Sequence, residues 1–301
     1  PGPGERVMGM VVTTQPSPFS EVSVDPGSGN VLEDDGTYTL NSTLGELALV
    51  AVCGIFNDLT SEFTPLYMGV RRGLFIVEGE TYNIDIDCNI QLDTEITVKA
   101  VNPPLLNLSN QLYLHFGSEG YFGGFPTQRG TTEELTNGPY PSLTGELAGL
   151  DYYVLGTSET ASEFPFSRVM LENVTAIDDV VVLHEFAPIP EFTTASFTTR
   201  YIEWELPTDA EPDFYYVFID DGAFPRPLVY WEIWLPGDYR SINLPEYPED
   251  ASVSIFPPGD YRLIIYSVDA ISFDYDRFDY NDLSLANWRS YAVNGQFVTN
   301  P

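Results

Sequence analysis

Positive charge is scarce in this chain of 301 residues. Lys99 is the only lysine, and twelve basic residues stand against 45 acidic ones, which gives a formal net charge of -33. A surface this negative repels phosphate backbones and anionic lipid headgroups, so nucleic acid and bare membrane are excluded as partners. It attracts divalent cations and basic proteins. Solubility outside the cell and adaptation to saline surroundings are alternative explanations of the same charge.

Histidine is also scarce, and the common catalytic motifs are missing. His115 and His184 are the only histidines, and both lie inside apolar strand patterns that favour structural roles. The sequence contains no G-x-S-x-G, H-E-x-x-H, P-loop or G-x-G-x-x-G motif. We therefore predict that the protein is not an enzyme. A glycoside hydrolase that uses two carboxylates is an alternative, because the many acidic residues offer many pairs.

Cysteine is limited to Cys53 and Cys88, with no Cys-x-x-Cys motif and no Cys/His cluster. The two residues fall on predicted strands at 47–53 and 82–88. If those strands are neighbours, a disulfide between the cysteines is geometrically allowed, and we favour it. Two buried free thiols that pack as small hydrophobic residues are the alternative.

Long hydrophobic runs are missing too. The longest run, at 47–56, is far shorter than the roughly 20 residues that span a bilayer, so we predict no transmembrane segment. The chain opens on Pro1-Gly-Pro-Gly4, and residues 1–6 are interpreted as a flexible tether. Such a tether follows a cleaved export signal or a lipid anchor upstream of Pro1. The predicted location is extracellular or the outer cell surface.

Aromatic and turn-forming residues are abundant instead. Aromatics make up 14% of the chain, and glycine and proline contribute 24 residues each. Aromatic-rich segments between frequent turns favour short strands over helices. We predict an all-β fold of two or three tandem β-sandwich modules. Proline-containing segments at 102–104 and 188–190 suggest boundaries, so the modules are placed at 7–102, 105–187 and 191–301.

The first module resembles a known family. The residues that carry the resemblance are Gly9-Met-Val-Val12, Val22-Ser-Val24, the run LEDDGTYTL from Leu32 to Leu40, and Gly45-Glu-Leu-Ala-Leu-Val50. This pattern resembles the carboxypeptidase regulatory-like domain, a transthyretin-like sandwich. The resemblance implies a non-catalytic module of secreted and cell-surface proteins, with a hairpin turn at Asp34-Asp-Gly36. The peptidase domain of that family has no counterpart here, and residues 105–187 match no family that we can name.

The last module resembles the fibronectin type III sandwich. It has an early strand that contains Trp204, and later a Pro-Gly-x-Tyr strand, from 257 to 270, that contains Tyr261. The resemblance implies that Trp204 fills the core and that Tyr261 makes a corner hydrogen bond to upstream backbone. The connection from 270 to 288 is longer than that family usually has.

The segment 272–282 is the most unusual stretch of the chain. Asp274, Asp276, Asp279 and Asp282 supply oxygen ligands of the kind that Ca²⁺ prefers, without the spacing of an EF-hand. We predict no cofactor, with calcium at this segment as the one candidate. The alternative is a solvated loop that is held down by Phe273, Tyr275, Phe278 and Tyr280.

A second candidate binding element is the strand at 229–235. Strict alternation places Tyr230, Glu232 and Trp234 on one side of this strand and Trp231 on the other. Aromatic rings beside carboxylates are typical of sugar-binding surfaces, on which the rings stack against the C–H face of a pyranose. Core packing produces the same alternation and is the alternative.

Together these features predict a non-catalytic secreted or surface-anchored binding or structural protein. It would act through protein–protein contacts, in adhesion or in a surface assembly that can include self-assembly. A carbohydrate-binding protein is the second hypothesis and a carboxylate-pair hydrolase the third. Sequons at Asn41, Asn107 and Asn173 are glycan sites only in a eukaryotic secretory protein. The combination of modules resembles bacterial surface lipoproteins.

Overall fold

The computed structural model describes residues 2, 4–17, 30–31, 37–40, 42, 44–125, 127–175, 180–207, 210–223, 227–245, 256, 258–271, 273–277, 283 and 287–301. Strands dominate these residues, which confirms the predicted all-β class. The helices of the described part are two 3₁₀ helices of three residues each, Gly117–Glu119 and Gly145–Leu147.

The strands are numbered in chain order. The first nine are β1 (Glu5–Thr13), β2 (Asn30–Val31), β3 (Gly45–Asn57), β4 (Glu62–Ile76), β5 (Ile90–Ala100), β6 (Asn107–His115), β7 (Tyr121–Phe122), β8 (Gln128–Gly130) and β9 (Glu134–Pro141). The others are β10 (Asp151–Glu159), β11 (Phe166–Val174), β12 (Val181–Leu183), β13 (Glu191–Ser196), β14 (Tyr201–Glu205), β15 (Phe214–Asp220), β16 (Val229–Pro236), β17 (Ser241–Asn243), β18 (Gly259–Ala270) and β19 (Trp288–Asn300).

The described strands form three sheets. A seven-stranded sheet has the order β12-β5-β4-β3-β1-β2, with β9 also paired to β5. A nine-stranded sheet has the order β16-β15-β18-β19-β11-β10-β6-β7, with β8 also paired to β6, and a small sheet has the order β13-β14-β17. Among the described pairings, β5 with β12 is parallel and the others are antiparallel.

Two sandwiches share one side of the nine-stranded sheet. Its β6, β10 and β11 strands pack against the seven-stranded sheet, in a core that includes Ile96 and Leu112. Its β15 and β18 strands pack against the three-stranded sheet, in a separate core that includes Trp204 and Ile265. Strand β10 is buried along almost its whole length. Tyr152 and Val154 pack in the first core, and Tyr153 and Leu155 pack among side chains on the opposite side of the sheet.

The two proline-containing connections lie against the middle strands of this shared sheet. Ser158 of β10 is fully buried. Its hydroxyl donates to the Leu105 carbonyl (2.9 Å) and accepts from the Leu105 N–H (2.8 Å). This reciprocal pair satisfies both backbone groups of a residue that no strand ladder serves.

The second connection is held in the same way. Buried or half-buried side chains of three neighbouring strands donate to its carbonyls: Ser167 to Ala187, Ser267 to Pro188, and Asn294 to Pro190, each at 2.8 Å. Small polar residues inside otherwise apolar strands therefore secure a buried connection.

We expect the Ser158→Ala substitution to destabilise the protein by about 2 kcal/mol, because it leaves a donor and an acceptor of Leu105 without partners. Urea denaturation followed by circular dichroism measures the change. The matched control is Ser162→Ala, which removes an exposed hydroxyl that bonds to Phe164 O and should cost less than about 0.5 kcal/mol. Equal unfolding midpoints for the two variants would contradict the role given to Ser158.

The predicted disulfide is confirmed. Cys53 and Cys88 are bonded with an S–S distance of 2.07 Å and Cα atoms 6.2 Å apart. Cys53 lies on β3, as predicted. The strand predicted for residues 82–88 is wrong, since Cys88 lies in an irregular connection, two residues before β5 begins.

Side chains, rather than a regular strand ladder, bond to this irregular connection. Arg71 Nε donates to Asp85 O at 2.7 Å, and the Tyr38 hydroxyl donates to Ile84 O at 2.5 Å. Residues 37–40, which end the run quoted for the family resemblance, form no strand. The predicted turn at Asp34-Asp-Gly36 and the Val22-Ser-Val24 part of the resemblance lie outside the described residues.

The module boundaries at 102–104 and 188–190 stay a prediction. Hydrogen-bonded sheets cross both positions, because β5 pairs with β9 and β12, and β11 pairs with β19. The tether at residues 1–6 also stays a prediction, although β1 already begins at Glu5.

Candidate functional site

The side of the nine-stranded sheet that points away from both cores carries a continuous set of aromatic rings. We call this surface the aromatic face. In the described part of the chain no second sheet packs on it, and the described residues that contact it from outside the sheet include Phe273, Tyr275 and Leu283. Its rings are those of Tyr113, Tyr121, Tyr153, Phe164, Phe166, Phe214, Tyr216, Phe218, Trp234, Tyr266, Trp288 and Tyr291.

Strand register explains the arrangement of the rings. Trp234, Tyr216 and Tyr266 are directly opposite one another on β16, β15 and β18, so their side chains leave the sheet on the same side. The Trp234 and Tyr216 rings are stacked with centroids 4.3 Å apart, and the Tyr216 and Tyr266 centroids are 5.3 Å apart. Tyr216 therefore has a ring on each side in this half-buried row.

The phenols of this row are held in their neutral form. Burial, reinforced by the nearby Glu232 carboxylate, raises the pKa of Tyr216. Burial also raises the pKa of Tyr266 to about 12. At physiological pH both hydroxyls carry a proton and can donate a hydrogen bond.

A guanidinium lies near the middle of the aromatic face. Arg168 of β11 is opposite Tyr291 of β19, and its Nη1 donates to the Tyr291 hydroxyl at 2.8 Å. Its Cζ is 4.9 Å from the Phe166 ring centroid and 5.8 Å from the Tyr291 centroid. Two aromatic rings therefore stabilise this cation.

Sequence reasoning missed the aromatic face, although a signal was present in β15. In a strand with one side exposed to solvent, apolar and polar residues alternate. In β15, however, Phe214, Tyr216 and Phe218 point to one side while Val217 and Ile219 point to the other. When apolar residues occupy both the odd and the even positions of a strand, they predict either that both sides of the strand are covered or that one side carries an aromatic surface.

The structure separates the predicted sugar-stacking pair, Tyr230 and Trp234. The prediction that they share one side of the strand is wrong, because β16 contains a bulge. Ile219 is paired with Trp231 but the next residue, Asp220, is paired with Val229, so Tyr230 is the extra residue. Tyr230 packs in the core of the second sandwich, while Trp234 lies on the aromatic face.

Trp204 and Tyr261, the two residues quoted for the fibronectin type III resemblance, both lie in the second core. Trp204 is fully buried, and its ring centroid is 5.1 Å from that of Tyr215. Tyr261 is also buried, with its ring 5.1 Å from Tyr230 and 5.2 Å from Phe197. The corner hydrogen bond of Tyr261 stays a prediction.

The described part of the Asp-rich loop is a tight turn. Asp274 Oδ1 accepts from the Asp276 N–H at 3.1 Å, and the Arg277 guanidinium lies 3.9 Å from the Asp274 carboxylate. Tyr275 donates to Trp234 O at 3.0 Å, so the loop packs at one end of the aromatic face.

The calcium site cannot be assembled from these residues alone. Asp279 and Asp282 lie outside the described residues. Within the described ranges, no three His, Cys, Asp or Glu side chains gather closely enough to hold a metal ion. Calcium binding by the 272–282 segment therefore stays a prediction.

The remaining titratable groups bear on the hydrolase alternative. His115 lies at the far end of the aromatic face, where its Nδ1 is 3.1 Å from Asp151 Oδ1 and its ring stacks on Tyr121. His184 is exposed. Burial raises the pKa of Asp269, and the Asp213 carboxylate adds to this rise against the hydrogen bond from Ser290. The carboxylate-pair hydrolase stays an alternative prediction.

Comparison of the sequence with models of protein families and with curated proteins found no match. Among the described helices, neither is long and apolar enough to cross a membrane.

Proposed function

We propose that this protein is a non-catalytic binding protein that holds a partner protein through the aromatic face. One observation carries the proposal. A set of Trp, Tyr and Phe side chains runs across the strands of the shared sheet, on a side that no second sheet covers in the described residues. Its rings at 153, 214, 288 and 291 are buried, and those of Phe166, Tyr216, Phe218, Trp234 and Tyr266 are part-exposed. Part-exposed aromatic rings grouped on one side of a sheet are typical of an interaction site.

The residue types of the aromatic face support a protein as the partner. Tyr, Trp and Arg are the residues that contribute most to binding at protein–protein interfaces. The neutral Tyr216 and Tyr266 phenols combine a large contact area with a hydrogen-bond donor. Glu232 is exposed beside them, so the partner meets both an apolar surface and an acidic rim, which suits a partner that carries basic residues.

The same geometry gives less support to a sugar ligand. A pyranose stacks on an open ring face, whereas the rings of Trp234 and Tyr216 cover one another. Tyr230, the other predicted stacking residue, lies on the opposite side of the strand. The protein partner is therefore the function that we put forward.

We also propose that the protein works outside the cell and that its last module is related to fibronectin type III sandwiches. The disulfide supports export, because such bonds persist in oxidising compartments. The order β13-β14-β17 packed opposite β16-β15-β18-β19 supports the relationship. The regulatory-like character of the first module and a lipid anchor upstream stay proposals on the sequence pattern alone.

The test is cross-linking followed by affinity measurement. A photo-reactive residue at position 218, on the aromatic face, is expected to capture one protein in the native host, which is then purified. The Phe218→Ala and Phe297→Ala variants should bind that purified protein at least about tenfold more weakly. Phe297 is 70% exposed, and its pairing with Arg262 of β18 places it on the same side of the sheet as the aromatic face. Because its ring is mostly exposed, its loss leaves the fold intact.

Phe75→Ala is the matched control, since Phe75 is 67% exposed on the seven-stranded sheet, away from the aromatic face. It should leave the affinity unchanged. The proposal fails if the Phe75 and Phe297 variants lose affinity equally, or if position 218 cross-links to nothing while position 75 does.

A further inference from the structure

We infer that Arg168 is the anchoring point for a carboxylate of the partner protein. This inference rests on the proposed function, because it names the chemistry that the aromatic face recognises. The observation behind it is a guanidinium that has no counter-ion among the described residues, in a chain whose net charge is -33.

Four other described arginines, at 71, 129, 240 and 289, share with Arg168 the lack of a described carboxylate within ion-pair distance, whereas others are paired with acids. Arg72 is paired with Glu119 at 2.6 Å, and Arg262 is paired with Asp220 at 2.7 Å. Arg168 has no carboxylate within ion-pair distance in the described part of the chain. Its single hydrogen-bond acceptor there is a neutral phenol oxygen, that of Tyr291. Arg168 is the one described arginine whose Nε is buried without an acceptor, and this singles it out as the guanidinium that can take an acceptor from another molecule.

The hydrogen-bonding capacity of Arg168 is also incomplete. Its Nε is buried and has no acceptor, and a buried donor without an acceptor is unfavourable. A carboxylate that approaches the Nε–Nη2 edge accepts two parallel hydrogen bonds, the geometry for which a guanidinium is suited. Because Nε is shielded, this approach includes a small movement of the side chain that opens it.

The surroundings of Arg168 favour a carboxylate that is attached to an apolar group. The Phe166 and Tyr291 rings flank the guanidinium and keep water from part of it. The phenol of Tyr291 is deeply buried, and burial raises its pKa against the lowering effect of Arg168, so it remains a neutral donor. A side-chain or C-terminal carboxylate of a protein, next to apolar residues, fits this combination.

The experiment uses benzoate and its uncharged isostere benzamide as probes, at constant ionic strength. Nitrogen–proton NMR follows the Arg168 Nε–H and the Trp288 Nε1–H, since the Trp288 ring lies 5.1 Å from Tyr291. Benzoate should shift both signals saturably. Benzamide should bind at least about tenfold more weakly, because it cannot form the charged pair.

Two variants locate the effect. In Arg168→Met, which keeps an unbranched side chain between the rings, the Trp288 signal should no longer respond to benzoate. In Arg168→Lys, which keeps the charge and loses the planar fork, the affinity should fall about tenfold. An unchanged benzoate affinity in either folded variant, or equal binding of benzoate and benzamide by the wild type, overturns the inference.

A second pair of probes separates the sources of the carboxylate. N-acetyl-tyrosine represents a protein carboxylate and glucuronate represents an acidic sugar. Tighter binding of N-acetyl-tyrosine supports the inference, and tighter binding of glucuronate overturns its protein source. None of these measurements needs the partner protein. If benzoate binds at Arg168 while position 218 captures no protein, the anion site stands and the proposed function fails.

Discussion

The Trp204→Ala substitution is expected to destabilise the protein by about 3–5 kcal/mol, more than any other single substitution that we predict. Trp204 is fully buried in β14, where it fills the space between the three-stranded sheet and the nine-stranded sheet. Truncation removes an indole that contacts the Tyr215 ring edge-on and leaves a cavity that two sheets cannot close without breaking their register. Guanidinium denaturation followed by circular dichroism measures the loss.

The control for Trp204 is Trp234, which is the same residue type but half-buried on the aromatic face. Trp234→Ala should cost clearly less, because only part of its ring leaves an apolar environment. Trp204→Phe should fall between wild type and Trp204→Ala, since it keeps a ring in the cavity. Equal losses for the two Trp→Ala variants would falsify the assignment of Trp204 as the centre of the second core.

The sequence was sufficient to predict the fold class and the disulfide. In strands such as β6, buried and exposed residues alternate. This alternation is visible in the local sequence, so a strand can be predicted from it. The position of Trp204 in the core was predicted by the resemblance to the fibronectin type III sandwich, because Trp204 is itself one of the residues that carry it.

The candidate site could not be predicted, because it depends on register. The extra residue Tyr230 in β16 is defined only against β15, and a single-residue change in pairing moves every later side chain to the other side of the sheet. For this reason, alternation along the sequence placed Tyr230 and Trp234 together when the structure separates them.

The proline-containing connections show a similar limit. Prolines at 103–104, 188 and 190 favour exposed linkers as a general rule, and here the second connection is mostly buried against the shared sheet. Ser167, Ser267 and Asn294 were visible as polar residues inside apolar strands. Their bonding partners, more than 20 residues away in two of the three cases, were not.

The Asp220→Ala substitution is expected to cost about 3 kcal/mol, because it leaves Arg262 without its buried partner. Asp220 ends β15 directly opposite Arg262 of β18 and is fully buried. Arg262 donates from Nη2 at 2.7 Å and from Nε at 3.1 Å, and the Gly222 N–H adds a third hydrogen bond at 2.8 Å. The loss lies at the low end of the range for a broken buried pair, since Arg262 keeps Glu163 and some contact with water.

Two variants test this account of the Asp220–Arg262 pair by urea denaturation. Asp58→Ala breaks the Arg6–Asp58 pair, in which both side chains are about half exposed (51% and 53%), and should cost less than about 1 kcal/mol. In the double variant Asp220→Ala/Arg262→Met, the unpaired charge is gone, so part of the stability should return. If the destabilisation of the double variant equals the sum for Asp220→Ala and Arg262→Met measured singly, the two residues act independently. Recovery in the double variant instead places the cost in the guanidinium that has lost its partner.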